Sequence, residues 1–242
     1  MGGREVGGLA NMLAAHMGFS PPEVDRVRRF WNAPRMAERE GLKAVDMFAA
    51  IARGEIRALW VMGTNPAVSL PRADHVRAAL KSLDLFVLSE NGVGNDTFES
   101  GPHVVLPAVA WGEKDGTVTN SERRISRQRP FLSPAGEARP DWWALAQVAR
   151  RLGHGDGFAW RGPADIFREH AALSAFENDG TRDFDLSGLT ALSDGAYEAL
   201  APVQWPVRAP GEGRARLFAQ GGFFTPDRRA RFVAPAGAAP AQ

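Results

Sequence analysis

The sequence predicts an α/β fold: a mostly parallel sheet with flanking helices, followed by a less regular α+β segment. Three observations carry this expectation. Short unbroken apolar runs, ALWVM (Ala58–Met62), LFVLS (Leu85–Ser89) and HVVLPA (His103–Ala108), have strand length and lack the polar alternation of a half-exposed antiparallel strand. A helix-period segment, ADHVRAALKSL, separates the first run from the second. The first run ends in GTNP, a turn signal that closes a strand. Strand, helix, strand and strand again describe a Rossmann-like layered α/β sheet.

The remaining elements follow in order. SPPEVDRVRRFW opens with Ser20 and two prolines, the start signal of a short helix. GLKAVDMFAAIARGE sets Leu42, Val45, Met47, Phe48 and Ile51 near one face of a helix, and Gly54 supplies a stop. DWWALAQVARRLG reads as a helix with Asp141 at its cap and Gly153 at its end. GPADIFREHAAL predicts a further helix, and SDGAYEALAP another, capped by Ser193 or Asp194. RARLFAQGGFFTPDRRARFVA suggests a hairpin around its Gly pair. The expected organisation is a segment 1–41 belonging to a neighbouring domain, an α/β domain 42–153, a mixed α+β segment 154–232 and a disordered Ala/Pro/Gly-rich tail 233–242.

Composition narrows the function. The chain has 242 residues, 44% of them hydrophobic, and a net charge of +1, which does not suit a nucleic-acid binder with its basic excess. There is no cysteine, so the chain itself offers no disulfide, thiolate nucleophile or cysteine-ligated cluster. No apolar run approaches the length of a membrane helix, and the N-terminus lacks a signal peptide. A cytoplasmic protein without membrane or nucleic-acid partners is expected. The opening GGREVGG reads as the middle of a phrase, as though a natural start lies upstream.

Ligands of an open parallel sheet bind beyond the carboxyl ends of its strands, and three such ends are marked. The first is Gly63-Thr64-Asn65-Pro66, which offers backbone N–H groups and a side-chain amide, although Gly, Asn and Pro also fill ordinary turns. The second is Ser89-Glu90, where a carboxylate suits a ribose diol but equally suits a solvated loop. The third leads into WGEKDGTVTNSERRISRQR, where Lys114 follows an apolar strand and Arg123, Arg124, Arg127 and Arg129 crowd together. Arginines bind phosphate and carboxylate bidentately, yet most charge runs are solvated faces. Asp141 has a plain reading as an N-cap and a chemical one: a carboxylate accepts from both the N1–H and the amino group of guanine, which adenine cannot match. The five histidines show no metal-ligand spacing, no phosphate-binding G-x-x-x-x-G-K-[ST] loop is present, and GGREVGG follows no strand.

Taken together, LWVMGTNPAVSLPRAD, LFVLSENGVGNDT, VVLPAVAWGEKDGTVTNSERRISRQR and PGEARPDWWALAQVARRLG resemble the molybdopterin oxidoreductase family. GGREVGGLANMLAAHMGF, EHAALSAFENDGTRDFD and FFTPDRRARF resemble its assimilatory nitrate-reducing branch more than its formate dehydrogenase relatives. The resemblance covers nearly the whole chain. It implies a molybdenum-bis(molybdopterin guanine dinucleotide) enzyme that reduces nitrate to nitrite, with this α/β domain binding one guanine dinucleotide arm. The positions that match the family's cofactor contacts are Gly63, Thr64, Asn65, Ser89, Glu90, Lys114 and Asp141. Ala135 stands where a Gly is expected, and Glu90 where some relatives carry Asp. The resemblance also implies a 4Fe–4S cluster and a molybdenum-ligating cysteine, neither of which a chain without cysteine supplies. An internal piece of a larger enzyme is therefore expected, inactive alone, with the missing N- and C-terminal domains and an electron donor as partners. The alternatives are a non-catalytic guanine-nucleotide-binding domain and a piece of a formate dehydrogenase-like relative. On this reading Lys114 contacts the cofactor, and Arg123 and Arg124 either share that task or lock the loop through Glu113 or Glu122.

Overall fold

The structure, a computed structural model, describes residues 2–235; the expected tail lies outside the described residues from position 236 onward. In chain order the elements are α1 (Gly2–Glu5), α2 (Pro21–Phe30), α3 (Ala44–Ala52), β1 (Ala58–Met62), α4 (Pro66–Ser69), α5 (Ala73–Lys81), β2 (Leu85–Glu90) and β3 (Val104–Pro107). Then come β4 (Gly116–Thr119), β5 (Arg124–Gln128), α6 (Asp141–Arg151), α7 (Pro163–Ala175), α8 (Asp194–Glu198) and β6 (Val203–Gln204). Local chemistry explains the helix starts. Before α2, the Glu23 carboxylate accepts from the Ser20 hydroxyl at 2.5 Å and from its backbone N–H at 3.4 Å, while the two prolines occupy a first turn that needs no N–H donors. Before α8, Ser193 is the cap, its hydroxyl oxygen accepting from Ala196 N–H at 3.1 Å.

The three apolar runs form one parallel sheet in the order β1-β2-β3. Its register pairs Met62 with Ser89 and Glu90 with Pro107, so the three carboxyl ends lie side by side. Helices α3 and α5 supply its main core. Phe48 and Ile51 from α3, and Val76, Ala79 and Leu80 from α5, pack with Val61, Phe86 and Leu88 of the strands. Phe86 and Leu88 are fully buried; full burial of such a side chain contributes roughly 1.5–3 kcal/mol. The expectation of three buried strands fails at β3. Val104 and Val105 are 41% and 39% exposed, because β3 is an edge strand and the described residues leave its outer side uncovered.

A second core gathers distant parts of the sequence. Ala14, Met17 and Val27 pack against Phe167, Ala171, Leu173, Phe184, Leu186, Trp205 and Val207, with Ile125 of β5 among them. The sheet β4-β5-β6 is antiparallel and borders this core through Ile125. Trp205, only 1% exposed, donates its indole N–H to the buried Glu5 carboxylate at 2.6 Å, and Thr119 donates its hydroxyl to the other Glu5 oxygen at 2.7 Å.

The expected hairpin at residues 214–234 does not form. This stretch contains no strand. A turn closed by Phe223 N–H and Arg228 C=O, 3.2 Å apart, and a stack of the Phe218 and Phe223 rings take its place. A hairpin needs one apolar face buried, and here Phe232 and Val233 are 98% and 85% exposed. Among the described residues no helix is long and apolar enough to cross a membrane.

Candidate functional site

All seven expected positions, Gly63, Thr64, Asn65, Ser89, Glu90, Lys114 and Asp141, line a single cavity of about 290 Å³ at the carboxyl ends of the parallel sheet. Each element delivers its residues for a local reason. Strand β1 stops at Gly63, whose φ of +59° is a left-handed conformation that favours glycine, and whose N–H reaches the Ser89 carbonyl at 3.3 Å. That turn brings Thr64 and Asn65 across the end of β2. The adjacent register places Ser89 and Glu90 beside them. Chain leaving β3 carries Ala108 and Val109 along the wall, pinned by Val109 N–H to the Arg139 carbonyl at 3.2 Å. The same contact sets Asp141 opposite Lys114.

Asp141 is not the helix cap that its sequence position suggests. The cap of α6 is Pro140, and Asp141 is the first helical residue, with no side-chain capping bond. Its carboxylate instead faces Lys114: Oδ2 lies 3.2 Å from Nζ. Its second oxygen, Oδ1, is buried and has no hydrogen-bond partner. A buried carboxylate oxygen without a donor is costly, and among the described residues Oδ1 is left unsatisfied.

The other lining groups are held in defined roles. Asn65 Oδ1 accepts from the Thr97 hydroxyl at 2.7 Å. Ser89, 2% exposed, accepts from the Trp60 indole N–H at 2.9 Å. Glu90 Oε1 accepts from the Asn91 N–H at 2.8 Å. One cation and two carboxylates thus border the cavity, together with two side-chain amides, Asn65 and Asn91, and two hydroxyls, Thr64 and Ser89. Among the described residues no group of three or more His, Asp or Glu is arranged to hold a metal ion.

The four arginines of the basic stretch lie outside this cavity. Arg123 donates to the backbone carbonyls of Trp205, Arg214 and Ala215 and stacks over the Trp205 ring at 5.2 Å. Burial pushes its guanidinium pKa below the ordinary value. Arg124 pairs with Glu122 at 2.8 Å. Arg127, its side chain 1% exposed, pairs with Glu198 at 2.6 Å and Asp115 at 2.8 Å. Burial opposes its charge, yet the hydrogen bonds to Glu198 and Asp115 prevail and its pKa is raised. Arg129 pairs with Glu198 at 2.9 Å. Arg123, Arg127 and Arg129 therefore fasten the β5 segment to residues 197–215, Arg124 closes the turn before it through Glu122, and none of the four lines the cavity. Glu113, expected as an alternative partner for the arginines, accepts from the backbone N–H groups of Ala110 and Ala135 at 2.7 and 3.1 Å. Trp60 and Thr97, which hold Ser89 and Asn65, carry no sequence signal: one lies in an apolar strand and the other in a polar loop.

The parallel sheet with flanking helices is consistent with the molybdopterin oxidoreductase fold, and comparison with known proteins names the family. Residues 2–151 match the family described as molybdopterin oxidoreductase, and the chain belongs to that family. Among its relatives, the nitrate reductase of Klebsiella oxytoca is 58% identical over 207 residues, covering 86% of this chain and 24% of that protein. The nitrate reductase of Shewanella frigidimarina is 50% identical over 241 residues, 98% of this chain and 26% of that protein. The chain thus spans about a quarter of the length of these curated relatives. Among solved structures, acetylene hydratase from Pelobacter acetylenicus superposes with a TM-score of 0.53 at 17% identity, covering 94% of this chain and 26% of that one; this likeness concerns the fold alone.

Proposed function

We propose that this chain belongs to a molybdenum-dependent nitrate reductase and that the strand-end cavity binds the guanine-bearing arm of a molybdopterin guanine dinucleotide. The observation that carries this reading is Asp141. Guanine presents two adjacent donors, N1–H and the 2-amino group, and the two oxygens of one carboxylate meet both; Asp141 has Oδ1 without a partner and Oδ2 paired with Lys114. Adenine presents an acceptor at N1 and no 2-amino group, so it leaves Oδ1 unpaired. The volume, about 290 Å³, is at the small end of ligand sites and suits one nucleotide portion of a large cofactor rather than its whole length.

The residues divide the work. Asp141 orients the base. Lys114 keeps the Asp141 carboxylate in place and adds a positive charge at the cavity rim. Asn65 and Ser89 offer donors to sugar or phosphate oxygens, Gly63 and Thr64 offer close backbone, and Glu90 accepts from hydroxyl groups. When bound, the molybdenum centre supplies two-electron oxygen-atom transfer to or from substrate; the protein supplies binding and orientation. No residue of this chain is assigned to the reacting atoms. Any 4Fe–4S cluster of the enzyme takes its thiolates from elsewhere, since this chain has no cysteine. The remaining domains of the enzyme and a protein electron donor are the partners this reading requires, and alone the chain is inactive toward nitrate.

The reading is tested in the enzyme that contains this chain. Lys114→Ala and Asp141→Ala are expected to lower the molybdenum and releasable guanine nucleotide retained per protein, with nitrate reduction falling in proportion. Unchanged molybdenum and guanine content in both variants would remove these residues from the cofactor site.

A further inference from the structure

Thr97 is fully buried, with 0% exposure, and stands behind the turn that carries Asn65 rather than in the cavity wall. Its hydroxyl oxygen accepts the Ala67 N–H at 3.2 Å. A backbone N–H only donates, so this contact uses a lone pair and leaves the hydroxyl proton to be placed. A buried hydroxyl proton without an acceptor is costly, and the acceptor available to this one among the described residues is Asn65 Oδ1, 2.7 Å away. The orientation of the Asn65 carboxamide follows. Its oxygen must face Thr97, and its N–H2 group is what remains for the cavity. The reversed amide would orphan the buried Thr97 proton. The loop holding Thr97 is itself fixed, because Asn95 Oδ1 accepts the N–H groups of Thr97 and Phe98 at 3.1 and 2.9 Å.

The same logic holds one strand away. The indole N–H of Trp60 donates to Ser89 Oγ at 2.9 Å, and indole has no acceptor. Ser89 therefore accepts on that side, and its own proton has no acceptor among the described residues, although the residue is 2% exposed and lines the cavity. Asn65 and Ser89 are thus set as donors. Asp141, across the cavity, is an acceptor. The cavity therefore has two donors, Asn65 and Ser89, on the strand-end side beside the Glu90 carboxylate, and the Lys114–Asp141 pair opposite.

We infer that Thr97 and Trp60 are positioning residues that hold Asn65 and Ser89 as donors toward the oxygen-rich sugar–phosphate portion of a bound nucleotide, without touching it. This rests on the nucleotide-arm reading above. Substitution of Thr97 acts through Asn65, and substitution of Trp60 acts through Ser89.

The test is calorimetric titration of the 242-residue chain with GDP. Thr97→Val keeps the shape and removes the hydroxyl; it is expected to weaken GDP binding about tenfold, whereas Thr97→Ser stays within about twofold. In an Asn65→Ala background, Thr97→Val is expected to add less than about a further twofold loss, since its intermediary is gone. Trp60→Phe is expected to weaken binding in the native background and to add little to Ser89→Ala. Thermal melts of each variant accompany the titrations; if Thr97→Val unfolds, the Trp60–Ser89 pair decides the question. The inference is overturned if Thr97→Val or Trp60→Phe binds GDP as tightly as the unaltered chain. It is also overturned if the loss is as large in the Asn65→Ala or Ser89→Ala background as in the native one. Failure of the unaltered chain to bind GDP is a separate outcome: it overturns the nucleotide-arm reading and, with it, the premise of this one.

Discussion

Lys114 Nζ lies 3.2 Å from Asp141 Oδ2, while Asp141 Oδ1 is buried with no partner. The two residues are 27 positions apart and meet because β3 leads one of them out of the sheet and the first turn of α6 presents the other. The ion pair uses half of a carboxylate and leaves the other half for a donor that the described residues do not supply. Its members are 35% and 31% exposed, so the pair itself stabilises the fold by at most about 1 kcal/mol. Its value lies in orientation.

Asp141→Asn is therefore expected to separate binding from stability. It replaces one oxygen with an N–H2 that opposes the donors of guanine. GDP affinity should fall more than about tenfold. Because Asp141 does not cap α6, unfolding free energy in urea should change by less than about 1 kcal/mol. A large stability loss with unchanged binding would make Asp141 structural.

Arg127→Ala should show the reverse pattern. Its side chain is 1% exposed, pairs with Asp115 and Glu198 and stacks on the Tyr197 ring at 4.1 Å. Its partners are 42% and 60% exposed, so they rehydrate when it is removed. The expected loss is roughly 2–3 kcal/mol in urea denaturation. Arg127→Lys should recover less than half, since an ammonium cannot reproduce the planar, multi-donor fork. GDP binding by the folded fraction should be unchanged, because Arg127 does not line the cavity.

Trp205→Phe isolates a buried hydrogen bond of the second core. Phenylalanine fills most of the site but leaves Glu5 Oε1, which accepts from the indole at 2.6 Å, without its donor. Thr119 still serves the other oxygen. A loss of about 2 kcal/mol is expected by chemical denaturation. A neutral effect would show that Glu5 finds another donor.

His170 gives the fold a pH dependence. Burial, with a smaller contribution from the charge of His16, pushes its pKa down from 6.5 to about 4. In the unfolded chain the group protonates near its ordinary value, so between about pH 6.5 and 4 the unfolded state binds more protons. Stability should thus fall as pH falls through that window, by up to about 3 kcal/mol, and the fall should level off below it. His170→Gln should flatten this portion of the stability profile. A profile that keeps its slope in the variant would assign the effect to other groups.

Much of the site was legible in the sequence because strand ends announce themselves. An apolar run followed by GTNP, by SE or by an exit toward GEK fixes where a parallel sheet stops, and the sheet's register then brings those stops together. Asp141 was legible as a helix start, with its carboxylate open to two readings, a cap or a free acceptor. One residue of difference, Pro140 taking the cap, decides between the two, and sequence signals rarely resolve helix ends to a single residue. The arginine cluster was legible only in part: Arg124 pairs with Glu122 as one reading expected, but the partners of the other arginines at residues 198, 205, 214 and 215 are distant in sequence. Thr97 and Trp60 were invisible because a hydroxyl or an indole shows its role only through what it touches. The hairpin at 214–234 failed because a Gly pair signals a turn and says nothing about whether a sheet exists to receive the strands.

The most direct measurement is a calorimetric comparison of GDP, IDP and ADP binding to this chain. IDP keeps the N1–H of guanine and lacks the 2-amino group; ADP lacks both donors. GDP is expected to bind tightest, IDP about tenfold more weakly and ADP more weakly still, with the GDP–IDP gap lost in Asp141→Ala. Equal affinity for GDP and ADP would contradict this, because the unpartnered Asp141 oxygen would then not be reading the base.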